Sequence, residues 1–86
     1  MRFDYSPSFR KQYRTLPKKI REQFGRRAAL LLDNQSDSQP LRLHKLAGVY
    51  AGLWSMNVTG DVRAIFDRSV DSVILFVAIG THSQLY

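Results

Sequence analysis

The feature that most constrains this 86-residue chain is an apolar run near its end, Val73-Ile74-Leu75-Phe76-Val77-Ala78-Ile79. Its length and its content of β-branched and aromatic residues read as a strand. A strand needs partners, and three weaker strand signals stand upstream. Leu41 and Leu43 alternate and lead into His44-Lys45-Leu46; Gly52 to Val58 is the second segment; Val62 to Asp67 is the third. Thr59-Gly60-Asp61 makes a tight turn before the third, and Arg68 to Ser72 a polar turn after it. The apolar run gives way to Gly80-Thr81-His82-Ser83-Gln84-Leu85-Tyr86. Core packing gives no reason to put a titratable imidazole there, so this tail brings polar chemistry to the rim of a core.

The first half of the chain reads differently. Arg2-Phe3-Asp4-Tyr5 alternates as a short strand. Ser6-Pro7 then supplies an N-cap hydroxyl and a first helical residue whose φ is already set. Phe9, Tyr13 and Leu16 follow at helical spacing until Leu16-Pro17 interrupts them. Pro17 can open a second helix with Ile20, Phe24, Ala28, Leu31 and Leu32 as its apolar stripe. Asp33 to Pro40 is a polar linker. The order β-α-α-β-β-β-β predicts one α+β domain over 1–86, with a helical hairpin packed on one face of an antiparallel meander.

Composition narrows the function classes. There is no cysteine, so thiolate catalysis, disulfides and Cys-based zinc sites are excluded. Two histidines without metal-ligand spacing give no metal site. No apolar stretch approaches the roughly 20 residues of a membrane span, and no leader-like pattern opens the chain. A soluble cytoplasmic protein without cofactor or membrane partner is expected. The net charge is +6, and it is unevenly spread. Arg10, Lys11, Arg14, Lys18, Lys19, Arg21, Arg26 and Arg27 crowd one segment that contains a single acid, Glu22. Such a segment is a solvated helix face, or it attracts phosphate backbones or an acidic protein partner.

Four motifs act together: His44-x-Leu46-x-Gly48; Gly52-Leu53-Trp54-Ser55; Asp61-Val62-Arg63-x-Ile65-Phe66; and Gly80-Thr81-His82-x-x-Leu85-Tyr86. Over the whole chain they resemble the RelE/ParE superfamily of bacterial toxins, in its YafQ-type branch. The resemblance implies a messenger-RNA interferase of a type II toxin–antitoxin system. It also implies a cognate antitoxin, which can carry the complex to its own operator DNA. On that pattern His44, Asp61, His82 and Tyr86 fall on site positions, and Arg63 fits an arginine seen in many relatives. Asn57 stands where another histidine is frequent, Val62 where an aromatic is common, and Trp54 where an arginine is frequent.

The implied chemistry is metal-free RNA cleavage through the substrate's own 2′-OH. It needs a base, an acid and cationic donors for the phosphorane. His82 is the candidate acid, or a surface histidine capping a strand end. Asp61 is a base, a carboxylate that orients an imidazole, or simply a turn residue. His44 shares the base role, holds the phosphate, or is a satisfied histidine at a strand start. Arg63 clamps phosphate or forms an ion pair with Asp61 or Asp67. Tyr86 stacks on a nucleobase or packs on the sheet edge. Lys45, Arg42 and Asn57 complete the RNA-binding set, on messenger RNA and the ribosome. A ParE-like inhibitor that binds DNA gyrase without catalysis is the alternative, and fold alone does not separate the two.

Overall fold

The computed structural model of the chain describes residues 2–32 and 41–86; the predicted polar linker over 33–40 lies outside the described residues. The chain runs β1 (Arg2–Tyr5), α1 (Pro7–Arg14), α2 (Lys18–Leu32), β2 (His44–Lys45), a 3₁₀ turn (Gly48–Tyr50), β3 (Trp54–Asn57), β4 (Val62–Asp67), β5 (Val73–Thr81) and α3 (His82–Leu85). The expected α+β order is present, with one helix added at the end. The strands β2 and β3 are shorter than their sequence segments.

Local chemistry sets the helices. Ser6 is extended at the N-cap of α1, where its Oγ accepts the Phe9 N–H at 3.0 Å. The same hydroxyl donates to the Val77 carbonyl at 3.0 Å, which ties the start of α1 to β5. Beyond Thr15 and Leu16 the Pro17 carbonyl accepts the N–H groups of Ile20 and Arg21 and starts α2. Phe9 of α1 and Phe24, Ala28 and Leu31 of α2 are buried against Met56, Val58, Ala64, Phe66, Phe76 and Ile79. Leu32 departs from the expected stripe and is 45% exposed, because it sits about 100° round the helix from Leu31. Phe76 is the centre of this layer, with the rings of Phe3, Tyr5, Phe9, Phe24 and Phe66 at 4.9 to 5.9 Å.

The five strands lie in the order β1-β5-β4-β3-β2. Strands β2 to β5 form the predicted antiparallel meander, but β1 pairs with β5 in parallel, Arg2 opposite Val73 through Tyr5 opposite Phe76. The sheet is therefore mixed. Alternation in the sequence marks which face a side chain takes; it says nothing about strand direction or partner.

A bulge decides where the apolar run points. Ile65 pairs with Ala78 and Phe66 with Phe76, which leaves Val77 as the extra residue. Phe76 and Ala78 would share a face in a regular strand; here Phe76 joins the helix-side core, while Ala78 joins Ile65 and Leu85 on the other side. The second face thus acquires a small core of its own, with Leu46, Tyr50, Leu53 and Val77 packed at its margin.

Candidate functional site

The face away from the helices carries the polar candidates in two rows. One row is His44, Ser55, Ile65 and Ala78; the next is Asn57, Arg63 and Gly80. Neighbouring strands are about 4.8 Å apart, so the His44 and Arg63 columns lie roughly 10 Å apart. The α3 turn closes the end of this face.

His44 is exposed, and its ring Nδ1 lies 3.1 Å from the Arg42 carbonyl oxygen. Arg42 has φ 45, a left-handed conformation that costs a non-glycine residue on the order of 1 kcal/mol. One residue earlier, Leu41 is fully buried and its carbonyl accepts the Asn57 N–H at 2.7 Å. Ser55, opposite His44 in the row, is fully buried, and its Oγ has no hydrogen-bond partner among the described residues.

Arg63 is held by carbonyls. One guanidinium nitrogen donates to the Gly60 oxygen at 3.0 Å and to the Thr59 oxygen at 3.4 Å. Neither Asp61 nor Asp67 pairs with it, so among the described residues its charge is oriented without being neutralised. Thr59 Oγ1 also accepts the N–H groups of Asp61 and Val62, at 3.3 and 3.0 Å, and fixes the β3–β4 turn. Asp61 is exposed, and its main-chain carbonyl accepts the His82 N–H at 3.1 Å. Its carboxylate bonds neither imidazole. Asp61 and His82 are thus joined through the backbone alone.

The tail forms a helical turn. Thr81 Oγ1 accepts the Gln84 N–H at 3.3 Å, and Gln84 Oε1 accepts the Thr81 N–H at 2.8 Å, a reciprocal capping box. Leu85 anchors the turn on Ile65 and Ala78. His82 and Tyr86 then meet, with ring centroids 4.8 Å apart, and Tyr86 meets the Tyr50 ring edge-on at 5.8 Å. Tyr86 remains 50% exposed. Its ring is pinned on the site face and keeps a surface open.

Strand alternation separates Lys45 from His44. Lys45 pairs with Trp54, which packs against the helix-side core, and its Nζ lies 5.6 Å from the indole centroid. Arg68 covers the same indole at 3.8 Å. Among the described residues no group of three or more His, Cys, Asp or Glu could hold a metal ion, and no helix is long and apolar enough to cross a membrane. Tyr50, Thr59 and Gln84 were not legible as site residues. Thr81-x-x-Gln84 is the one signal that could have shown α3, since that spacing is a capping box.

Residues 1–86, the whole chain, match the sequence model of a family described as bacterial toxin of type II toxin-antitoxin system, YafQ. The chain belongs to the YafQ toxin family. Solved structures share its fold. YafQ from E. coli strain BL21(DE3) is 22% identical, with a TM-score of 0.82 over 98% of this chain and 96% of that one. The toxin of the E. coli DinJ–YafQ toxin–antitoxin complex is 23% identical, with a TM-score of 0.80 over 98% and 94%. The RelB–RelE antitoxin–toxin complex from Methanococcus jannaschii contributes a chain 18% identical, with a TM-score of 0.72 over 96% and 94%. No curated protein matches the sequence significantly. This YafQ-family toxin thus carries its two imidazoles, His44 and His82, on the open face or at its end, with Arg63 in a column between them.

Proposed function

We propose that this toxin is a metal-independent endoribonuclease that cleaves messenger RNA on the ribosome and so stops translation, and that a cognate antitoxin protein silences it. The observation that carries this reading is the Arg63 guanidinium, held by two carbonyls and left un-neutralised among the described residues, in the column between His44 and His82. A cation placed this way favours the charge that develops on a phosphorane.

The reaction balances as a transesterification. A base, His44 or Asp61, takes the 2′-OH proton, and the 2′-oxygen attacks the adjacent phosphorus. Arg63 stabilises the equatorial oxygens. His82 gives its proton to the departing 5′-oxygen, leaving a 2′,3′-cyclic phosphate and a 5′-OH. Tyr86 offers its open ring to a nucleobase beside His82, and Arg42, Asn57 and Lys45 take backbone or base contacts. Two of the solved relatives are complexes with antitoxins, DinJ and RelB. Here the partner segment carries acidic and apolar residues that suit the basic hairpin, and the antitoxin is the part of the complex that binds operator DNA.

Induction of the toxin alone tests the reading. Primer extension should map cuts inside coding regions, and pulse labelling should show protein synthesis falling first. Purified toxin added to a translating extract should yield fragments ending in cyclic phosphate. Intact messages with DNA synthesis falling first would overturn the nuclease reading in favour of a gyrase inhibitor.

A further inference from the structure

Among the described residues only Arg42 and Ser72 are non-glycine residues with positive φ. Ser72 closes the turn before β5, where such a conformation is ordinary. Arg42 is instead two residues ahead of β2. What the left-handed residue achieves there is a split between successive carbonyls. The Leu41 oxygen stays with the Asn57 N–H at 2.7 Å, and the Arg42 oxygen reaches His44 Nδ1 at 3.1 Å.

A carbonyl oxygen can only accept, so the ring nitrogen facing it carries the proton. In the neutral ring the lone pair is then on Nε2, the atom away from the main chain. Free histidine favours the opposite tautomer, so this arrangement is imposed by the backbone. We propose that the Arg42 main chain is a positioning device that holds His44 as the Nδ1–H tautomer, making Nε2 of His44 the proton acceptor in strand cleavage. Asp61 keeps a structural role, in which its carbonyl holds the His82 N–H at the start of α3. The base role of His44 rests on the nuclease reading; the tautomer does not.

The chain has two histidines, so the His82→Ala variant leaves His44 as the sole imidazole and removes any ambiguity of assignment. Long-range ¹H–¹⁵N correlation on this variant, about two pH units above the ordinary imidazole pKa, reads the tautomer directly. A protonated Nδ1 and a bare Nε2 are expected. Arg42→Gly, which adopts positive φ freely, should keep that pattern; Arg42→Pro, whose φ is locked near −65°, should lose it. Both variants lack the guanidinium, so in the His82-containing toxin their comparison isolates the carbonyl: kcat of Arg42→Pro should fall about 10²-fold below that of Arg42→Gly. A protonated Nε2 in the otherwise native chain overturns the proposal, whether or not Arg42→Pro folds. Equal kcat for the two folded variants overturns it as well. The expected tautomer in a toxin that cleaves no RNA leaves the positioning intact and removes the nuclease reading instead.

Discussion

Gly80 lies beneath α3, where an added Cβ would stand 2.9 Å from Gln84 Oε1 and 3.5 Å from Leu85 Cδ2. Gln84 is not free to swing away, because that oxygen accepts the Thr81 N–H. Gly80→Ala should therefore cost about 1 kcal/mol or more, with the loss seen in the urea midpoint, and cleavage should fall through displacement of His82. His82 itself is exposed and packs on Tyr86. His82→Ala should keep the circular dichroism spectrum and thermal midpoint close to those of the parent while cleavage drops about 10²–10⁴-fold. A folded variant with full toxicity would exclude His82 as the acid. Position and chemistry thus separate cleanly: Gly80 shapes the seat, and His82 occupies it.

The elements that hold the site are short and depend on one another. α3 has four residues, fewer than an isolated helix needs, so its order comes from the Thr81–Gln84 box, the Leu85 anchor and the Tyr50 contact. Thr81→Val should remove the side-chain cap, cost about 1 kcal/mol, and raise amide hydrogen exchange at Leu85 and Tyr86 before any other part of the sheet responds. The β4–β5 turn has its own device. The Asp67 carboxylate accepts the Ser69 N–H at 2.7 Å, and bonds to the backbone and side chain of Ser69 hold its pKa below the usual carboxylate value. A carboxyl depressed in the folded state contributes stability that is present above its unfolded pKa and is lost as pH falls through the lower native one. Asp67→Asn should accordingly narrow the stability difference between neutral and acid solution, measured by thermal melts across that range. Helices, caps and strand segments were legible because their signals are local: Ser6-Pro7, the Leu16-Pro17 break and the run from Val73 to Ile79. The parallel β1–β5 pair, the bulge at Val77 and the meeting of Tyr50 with Tyr86 were not. Each depends on which distant segments come together, and alternation within a segment carries no such information.

Across the whole molecule the sheet separates the basic hairpin from the candidate site residues. The basic hairpin covers one face, while His44, Asn57 and Arg63 lie on the other. Arg10 and Arg14 stand over a cleft of about 320 Å³ lined with Tyr5, Phe9, Tyr13 and Phe24, on the hairpin side. If that side steers the antitoxin, reversing Arg10 and Arg14 to Glu should slow association about tenfold and flatten its salt dependence. Stopped-flow binding at several ionic strengths measures this, and an unaltered rate and salt slope would make the arginines a solvated face. The division into faces rests on a sheet whose strand β1 pairs only with β5. Arg2–Tyr5 leaves the ribosome long before Val73–Phe76 and must wait for it, and the Ser6 cap waits with it for Val77. A nascent chain therefore cannot assemble the fold while β5 is still in the exit tunnel. The same step completes the open face, because Arg63 finds Gly80 opposite it only on β5 and α3 follows directly from Thr81.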